Sequence, residues 1–365
     1  MARRGASPRS TGGGAGAAFE VALATGPALN LVPMQELTSF SAVSVTANFM
    51  DGDRCQFSVL GSSPEALLID ELATDVWVWG PIEQRFRIVN VSQQWGTDGE
   101  DVVNVQAVSY KRLLASRHIW TADGMTFAQV DQGDIVWQLI QHTQAQTAGN
   151  WGVTKGFTTT GVRRDRSYVY GDNIGKLCDN LQEVIDGLWW DIDIDLKVQA
   201  AMPDSFARHA QPLQLGVNAR TLERQSSASQ FANAVFVDGN EDTMPVTAVT
   251  ADIATDIRGR WETTRGFPTT EQQSTLVEHA QGVLMDTNRP MSTWQVEVDP
   301  AHWTTESHYL PGDFVVVVIP KSTVAAVGSP SEAVVCQVEE MNVSVSADAA
   351  FAVSMALIET RQVVG

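Results

Sequence analysis

Hydrophobic and polar residues alternate in two separated parts of the chain, from about residue 54 to 116 and from about residue 292 to 358. Alternation with a period of two predicts β-strands that have one buried face. Each part offers four such strands in the same order, and a connection of similar length follows the first strand in both. The pattern therefore predicts two copies of one β-rich unit within a single chain.

The predicted strands of the two parts correspond one to one. In the first part they cover residues 55–60, 75–79, 84–92 and 101–110. In the second part they cover residues 294–299, 313–317, 333–345 and 350–359. Another alternating stretch, 41–48, predicts a further strand before the first copy.

The third strand of each copy changes its apolar phase midway. The shift is seen in Phe86, Ile88, Val89 and Val91 of the first copy, and in Cys336, Val338, Met341 and Val343 of the second. One extra residue in a strand produces such a slip, so a β-bulge is predicted in both copies. Bulges bend strands, which favours a curved or barrel-like sheet.

The segment between the copies has a mixed pattern. Apolar residues at helical spacing predict one helix capped by Asp134 and a second capped by Asp172 or Asn173. A strand over 189–196 follows. The middle of the chain is therefore predicted to be a separate α+β domain.

A second insertion is predicted inside the late copy, because Thr270 and Gln273 have the spacing of a capping box before an apolar helix. The fold class is thus α+β and mostly β, with two related β-domains and inserts. The predicted ranges are 1–30 for an N-terminal arm, 31–120 for the first β-domain, 121–210 for the α+β insert, 211–252 with 291–365 for the second β-domain, and 253–290 for the helical insertion.

The N-terminal arm, residues 1–30, is rich in Gly, Ala and Ser and is predicted to be flexible. Its start, Met-Ala-Arg-Arg, resembles a twin-arginine signal, but Glu20 interrupts the apolar stretch that such a signal needs. No apolar run reaches the length of a membrane span, so stable membrane insertion is not expected.

Composition narrows the function classes. The chain has 365 residues, of which 44% are hydrophobic, so it can bury a large core divided over several units. Charged residues are 18% of the chain, which favours a surface that partner proteins cover. The formal charge of −19 argues against nucleic acid as a bound ligand, although an acidic channel wall would let DNA pass without adhering.

The candidate chemistry is sparse. Asp191, Asp193 and Asp195 alternate along a predicted strand and would share one face, which is more typical of a solvated or channel-facing surface than of paired catalytic carboxylates. Asp51 and Asp53 lie in a turn that lacks the other ligands of a calcium loop. The sequence predicts no catalytic, cofactor-binding or metal site, and hence no enzyme.

Other residue types point to structure. Three cysteines, Cys55, Cys178 and Cys336, lie in apolar runs and are interpreted as buried thiols. The histidines lack zinc spacing, and no glycine-rich phosphate loop occurs. Trp189 and Trp190 are adjacent, so a strand directs them to opposite sides and at least one needs cover, from the core or from a partner protein. The basic cluster 163–166 is interpreted as a solvated loop.

Several stretches carry a resemblance to a known family, namely 75–79 with 85–89, 135–140, 168–174 and 189–192. With them, residues 31–360 resemble the hub proteins at the tip of phage tails. These are the baseplate hub of contractile tails and the related minor tail proteins of siphophages that infect actinobacteria.

The resemblance implies a homotrimeric virion structural protein with two tube-type β-barrel domains in each subunit. Three subunits would form a pseudo-sixfold ring that joins a sixfold tail tube or distal tail protein to threefold tip or fibre proteins. The channel would pass DNA and the tape measure protein, without specific DNA binding. The protein would assemble in the host cytoplasm and reside at the tail tip of the virion, with no cofactor.

Two alternatives stay open at this point. The tryptophans suggest a receptor- or carbohydrate-binding tail module as the first alternative. A cell-wall hydrolase is the weaker alternative and would depend on Asp191, Asp193 and Asp195.

Overall fold

The computed structural model describes residues 20–25, 35–96, 101–184, 186–240, 243–267, 272–302, 309–319, 333–346 and 351–360. The strands are Glu20–Thr25 (β1), Gln35–Glu36 (β2), Ala42–Asn48 (β3), Arg54–Leu60 (β4), Thr74–Trp79 (β5), Gln84–Trp95 (β6), Asp101–Ser109 (β7), Met125–Asp131 (β8), Thr154–Lys155 (β9), Arg163–Tyr168 (β10), Trp189–Ile192 (β11), Lys197–Ala201 (β12), Leu213–Gln214 (β13), Ala219–Ser227 (β14), Ala234–Asp238 (β15), Val246–Val249 (β16), Glu262–Gly266 (β17), Met291–Val298 (β18), Phe314–Val318 (β19), Ala333–Ser346 (β20) and Phe351–Glu359 (β21). The α-helices are Tyr110–Leu113 (α1), Gln132–Gln144 (α2), Ile174–Asn180 (α3) and Gln273–Thr287 (α4), and short 3₁₀ helices cover Pro64–Leu68, Leu114–Ser116, Pro203–Ser205 and Pro300–His302.

Thirteen of the strands form one curled sheet, so the described residues are mostly β. Its main path runs β14-β18-β21-β20-β3-β4-β7-β6-β5-β1-β2, and β19 pairs with β20 and β13 off this path. The two predicted copies are halves of this sheet. β20 of the second half pairs antiparallel with β3 of the first half and joins them.

The two halves have the same strand order. The first half runs β3-β4-β7-β6-β5 and the second runs β14-β18-β21-β20-β19. All neighbouring pairs within both halves are antiparallel. The predicted internal duplication is therefore confirmed at the level of sheet topology, and each repeat hereafter means one of these five-strand halves.

The predicted bulges are confirmed in both repeats. The register between β6 and β7 shifts between Ile88 and Asn90, and the register between β20 and β21 shifts between Val338 and Glu340. Val89 and Glu339 are therefore the extra residues. Since a bulge bends its strand, both repeats curl at the same position.

A single apolar core lies on one side of the curled sheet and draws residues from both repeats. The alternating positions predicted from sequence supply it: Val43 and Val45 of β3, Phe57 of β4 and Met355 of β21 are almost fully buried. All three cysteines are buried and free, as expected.

The middle unit follows the first repeat and has its own core. Tyr110, Ile135, Leu139, Leu177 and Trp190 belong to that core. It begins at Tyr110, earlier than residue 121, because α1 and the following 3₁₀ turn pack on it.

Side chains that accept hydrogen bonds from the first amides of α2 and α3 identify the capping residues of these two helices. Asp131 caps α2 by accepting a hydrogen bond from the Gly133 amide at 3.0 Å, so the prediction of Asp134 is wrong by one turn. Asn173 caps α3, since its Oδ1 accepts from the Lys176 amide at 3.0 Å.

The insertion in the second repeat is larger than the range 253–290. β15 and β16, which lie in the range 211–252 predicted for the second β-domain, pair with each other and with β17 under α4. They belong to a separate three-stranded sheet because Val235 and Val237 pack against Leu276 and Ala280 of α4. β13 and β14 are the strands of this region that belong to the main sheet.

The N-terminal range 1–30 contains one ordered strand, which differs from the prediction of a flexible arm. β1 pairs with β5 over six residues, and Leu23 is fully buried. The short apolar stretch Val21–Ala24 drives this pairing, although Gly-rich sequence surrounds it. Residues 1–19 and 26–34 lie outside the described residues. Among the residues that are described, no helix combines the length and the apolar character needed to cross a membrane.

Candidate functional site: the polar face of the curled sheet

The face of the sheet opposite the core is polar, and its charged residues include Arg54, Glu297 and Glu340. Successive side chains of a strand point to opposite faces of the sheet, so every second residue lies on this face. The strand register aligns these residues in rows that cross the strands. One row consists of Ser44, Gln56, Gln106 and Asn90. The face is built mainly from hydroxyl and amide side chains, namely Ser44, Thr46, Gln56, Ser58, Asn90, Ser92, Asn104, Gln106, Asn342, Ser344 and Ser354.

Hydrogen bonds between side chains tie neighbouring strands on this face. The Ser58 hydroxyl donates to Asn104 Oδ1 at 2.7 Å. At the junction of the repeats, Asn342 Nδ2 donates to Thr46 Oγ1 at 2.8 Å and to Ser44 Oγ at 3.2 Å. These contacts fix the register of the β20–β3 junction, which we call the internal seam.

The internal seam ends in a polar groove beside the turn after β3. Arg54, Arg112, Asp51 and Glu340 line it together with the seam residues. Burial, followed by the nearby positive charge of Arg54, lowers the pKa of Arg112.

Two carboxyl groups, Glu339 and Asp179, lie close to this groove and interact with Asp51 at its edge. Burial, and then the neighbouring Glu340 and Asp51 carboxylates, raise the pKa of Glu339, the bulge residue of β20. Burial also raises the pKa of Asp179 on α3, with Lys111 opposing the shift and Asp51 adding to it. The charged residues of the groove lining are balanced, with two arginines and two carboxylates, so the groove offers phosphate no excess of positive charge.

Two buried polar networks hold the middle unit on the sheet. In the first, Gln84 Nε2 donates to Asp53 Oδ2 at 3.0 Å and to Asp191 Oδ2 at 3.3 Å. Lys111 Nζ donates to the Trp190 carbonyl oxygen at 2.9 Å. Burial lowers the pKa of Lys111, while Asp191, Asp179 and Asp53 oppose that shift.

The second network lies where α1 meets β5 and β6. Asp75 is fully buried and forms ion pairs with Arg85, at 2.5 Å, and with Arg87. The Tyr110 hydroxyl donates to Asp75 Oδ2 at 2.9 Å, and burial, then the Asp75 charge, raise the pKa of Tyr110 to about 12. Arg85 also lies over the Trp77 ring at 4.7 Å. The stretches 75–79 and 85–89 thus form the buried contact between the first repeat and the middle unit, which we call the joint.

The three aspartates of the 189–196 stretch do not share one face, so that prediction is wrong. β11 ends at Ile192, and the chain then turns. Asp191 is buried beside Gln84, whereas Asp193 is buried and accepts from the Lys197 amide at 2.8 Å and from Gln199 Nε2 at 2.7 Å. Asp195 is exposed and pairs with Lys197 at 3.1 Å. Asp193 is a turn-forming residue here, because its oxygens satisfy the turn amides.

The basic cluster 163–166 is a strand and not a solvated loop. Arg164 is buried and pairs with Glu278 of α4 at 3.0 Å, and Arg166 donates to Thr275 at 3.3 Å. These contacts join β10 to the insertion of the second repeat. The acidic partner that the cluster needs lies in the same chain.

The other residues singled out from sequence occupy separate places. Asp53 is buried in the Gln84 network, while Asp51 is exposed in its turn. His209 pairs with Asp313 at 2.8 Å, and His308 lies outside the described residues. Among the described residues, His, Cys, Asp and Glu form no cluster of three or more that could hold a metal ion.

The adjacent tryptophans both have cover. Trp190 is fully buried in the core of the middle unit. Trp189 lies beside Phe49, with ring centroids 6.5 Å apart, and beside Phe206 at 5.2 Å. The expected opposite orientation of the pair is confirmed.

No protein-family model matches the sequence, and no curated protein matches it. Solved structures of phage tail proteins resemble it in fold. The tail protein gp18 of a Listeria monocytogenes EGD-e prophage has a TM-score of 0.61 at 11% identity, over 94% of this chain and 96% of that one. A tail protein from Neisseria meningitidis MC58 has a TM-score of 0.60 at 12% identity, over 94% and 97%. The 43 kDa tail protein of prophage MuSo2 from Shewanella oneidensis has a TM-score of 0.62 at 11% identity, over 93% and 98%. Over almost its whole length, the chain has the fold of phage tail proteins.

Proposed function

We propose that this protein is a structural component of a phage tail, a homotrimeric hub at the distal end of the tail. The observation that carries the proposal is the shared strand order of the two repeats, including the bulge at the same position. Two equivalent repeats let three subunits occupy six equivalent positions around an axis, because each repeat is one structural unit. The likeness in fold to phage tail proteins supports the same placement.

Each repeat acts as one tube-type domain, so that the trimer forms a pseudo-sixfold ring. The ring joins a sixfold tail tube or distal tail protein to threefold tip or fibre proteins. This arrangement gives the two repeats a purpose, because three subunits with two repeats each present six equivalent units to a sixfold neighbour. A minor tail protein of a siphophage that infects actinobacteria remains the more specific prediction.

The polar face of the curled sheet lines the channel in this proposal. Hydroxyl and amide side chains are hydrated and carry no net charge, and the groove at the internal seam has no excess of positive charge. DNA binding depends on cationic side chains that neutralise phosphates, and here Arg54 and Arg112 are matched by Asp51 and Glu340. DNA and the tape measure protein therefore pass without adhering. The proposed role is structural and involves no catalysis and no cofactor.

Light scattering combined with size-exclusion chromatography tests the oligomeric state of the full chain. A mass of three subunits is expected, and negative-stain images along the symmetry axis should show a ring with a central opening. A chain that stays monomeric at high concentration and shows no ring within purified tails would overturn the proposal. DNA retention on a filter at physiological salt is expected to equal that of a blank.

A second candidate function, a carbohydrate-binding tail module, rests on an exposed aromatic pair. Trp120 and Tyr170 are both more than half exposed, with ring centroids 6.0 Å apart. Exposed aromatic rings are suited to stacking on sugar rings. Binding of the full chain to host cell-wall glycans that Trp120→Ala abolishes would support this function. A glycan array on which the full chain binds no glycan would reject it.

A further inference from the structure

Several strands of the main sheet have an open edge among the described residues, including the short strands β2 and β13. Two longer open edges, on β6 and β14, correspond to the two sides of the internal seam. β6 pairs with β7 along its length, but β5 covers its other edge only at 84–87, which leaves the edge of Val91–Trp95 open. β14 forms the end of the sheet and pairs with β18 alone. An open edge presents backbone N–H and C=O groups that a further strand can pair with.

The second repeat shows what covers the equivalent of the β6 edge. The bulges align Val89 with Glu339, so the open part of β6 corresponds to the β20 segment that follows Glu339. That segment is not open, because β3 pairs with it over seven residues in the internal seam. β3 is the first strand of the first repeat.

The counterpart of β3 in the second repeat is β14, the other open strand. β3 pairs with β4 in one repeat as β14 pairs with β18 in the other. The chain thus contains one complete seam and both halves of a second seam of the same kind. β14 ends the main strand path, whereas β6 lies seven strands away and is followed by β5, β1 and β2. One chain could therefore join the two halves of the second seam only by closing its own sheet.

We propose that the open half of β6 pairs antiparallel with β14 of a second copy, in the register of the internal seam. This inference rests on the proposed function and specifies the contact that closes its ring. The contact is heterologous, since a different strand is used on each side, and such contacts form a ring when the rotation between copies closes. Three copies then contain three internal seams and three seams of this second kind.

The register follows from the correspondence of the repeats. In the internal seam Asn342 lies opposite Thr46, and Val345 lies opposite Val43. The equivalent pairs in the second seam are Ser92 opposite Gln225, and Trp95 opposite Leu222, each across two copies. Ser92 and Gln225 both belong to the polar face, so the hydroxyl and amide rows of that face continue into the next copy.

The exposure of one aromatic residue supports this register. Trp95 is 72% exposed, although its counterpart Val345 is half-buried. Leu222 is half-buried and packs against the main core from the open strand. Pairing of the two strands places the Trp95 ring on Leu222 of the second copy and removes both from water.

The second seam is more polar than the internal one, as suits a contact that forms between separate folded chains. In the internal seam Val343 lies opposite Val45. The equivalent pair in the second seam is Gln93 opposite Arg224. Polar and charged residues on open strands limit unspecific edge pairing before assembly. The two seams therefore share geometry and differ in how readily they separate.

Cysteine cross-linking tests the register in the full chain. In the internal seam the Phe49 amide donates to the Glu339 carbonyl, at 2.8 Å, so Thr46 and Asn342 form a non-hydrogen-bonded pair. Such pairs have Cα atoms about 4.5 Å apart, which a disulfide can span. Ser92→Cys combined with Gln225→Cys is expected to give covalent dimers and trimers on a non-reducing gel after mild oxidation.

Two matched variants serve as controls. Thr46→Cys with Asn342→Cys should form a disulfide within one chain, which reports that the sheet is folded as described. Ser92→Cys with Glu223→Cys shifts the second seam by two residues on the same face and should cross-link at least tenfold less. Mixing the Ser92→Cys and Gln225→Cys single variants should give covalent dimers, since the partners lie on different chains.

The outcomes separate this inference from the proposed function. A trimer by light scattering in which the internal pair cross-links and Ser92→Cys with Gln225→Cys does not would overturn the second seam and leave the hub intact. Equal cross-linking of the shifted pair would overturn the register. A protein that is monomeric both free and in tails would reject both proposals. Trp95→Ser is expected to weaken trimer formation by about tenfold or more, and an unchanged trimer would contradict the packing on Leu222.

Discussion

The buried carboxylate of Asp75 is the most sensitive polar group of the joint between the first repeat and the middle unit. Its two oxygens accept from Arg85, Arg87 and the Tyr110 hydroxyl, and its side chain is fully buried. Asp75→Asn keeps the size of the side chain and removes its charge. Two guanidinium groups whose side chains are only 6% and 11% exposed then lose their anionic partner.

The magnitude follows from the burial of these charges. Removing one partner of a buried ion pair costs about 3–5 kcal/mol, because the remaining charge stays desolvated. Arg87 keeps its hydrogen bonds to the Leu72 carbonyl and to Tyr110, and an asparagine oxygen can still accept one bond. We therefore expect a destabilisation of about 3 kcal/mol for Asp75→Asn, at the lower end of that range.

Hydrogen exchange measured by mass spectrometry reads this loss at the joint itself. The three cores of the chain need not unfold together, so a global midpoint alone would average over them. Faster exchange is expected in peptides that cover β5, β6 and α1, with smaller changes in β18 and β21. Urea unfolding followed by tryptophan fluorescence gives the corresponding change in free energy.

Asp195→Asn is the matched control, since it removes the same charge from an exposed pair. Asp195 and Lys197 have side chains that are 53% and 48% exposed, and an ion pair in that setting contributes little to stability because water screens it. If Asp75→Asn costs less than about 1 kcal/mol, or no more than Asp195→Asn, the joint does not depend on the buried charge and the reasoning is refuted.

Three further predictions concern the seam and the middle unit. Because the pKa of Glu339 is raised, its charged form destabilises the folded state above that pKa, and this destabilisation disappears as the pH falls through the pKa. Glu339→Gln should therefore raise the urea midpoint at pH 7. A rise in midpoint of the same size near pH 4.5 would contradict this. Lys111→Met should cost about 1–3 kcal/mol in urea unfolding, since the Trp190 carbonyl loses its buried donor, and unchanged near-ultraviolet circular dichroism with an unchanged midpoint would refute it. Asn342→Ala should cost about 1 kcal/mol and speed hydrogen exchange of the β3 amides, because Thr46 loses a hydrogen bond. Hydrogen exchange equal to that of the native protein would show that these side-chain hydrogen bonds do not stabilise the internal seam.

Patterns confined to single strands were readable from the sequence. The phase slip after Ile88 and after Val338 predicted a bulge in each repeat, and the structure has both. A bulge is a local event that moves the following side chains to the other face, so it leaves a direct trace in the order of apolar residues. The repeated order of strands was readable for the same reason.

Strands at the edges of sheets were not readable. β14 contains Arg220, Glu223 and Arg224, which do not form an apolar stripe, because a strand with one neighbour buries little of either face. The sequence of β15 alternates well, yet it belongs to the insertion. Alternation shows that a strand has a buried face, but not which sheet or helix buries it.

The ion cluster of Asp75, Arg85, Arg87 and Tyr110 was equally hidden. Asp75 and Trp77 face the middle unit, while Val76 and Val78 face the main core, so β5 is covered on both sides. From sequence, the charged positions of such a strand look like a solvated face.

The amino-acid order by itself determined the duplication, the bulges and the mostly β character of this chain, because each depends on neighbours within a few residues. Tertiary structure alone decided that the repeats share one sheet, that Asp191 and Asp193 are buried, and which strands stay open at its ends. Those features depend on pairing between segments as far apart as β3 and β20, and hydrogen bonds between backbones carry no trace in the side-chain pattern of either strand.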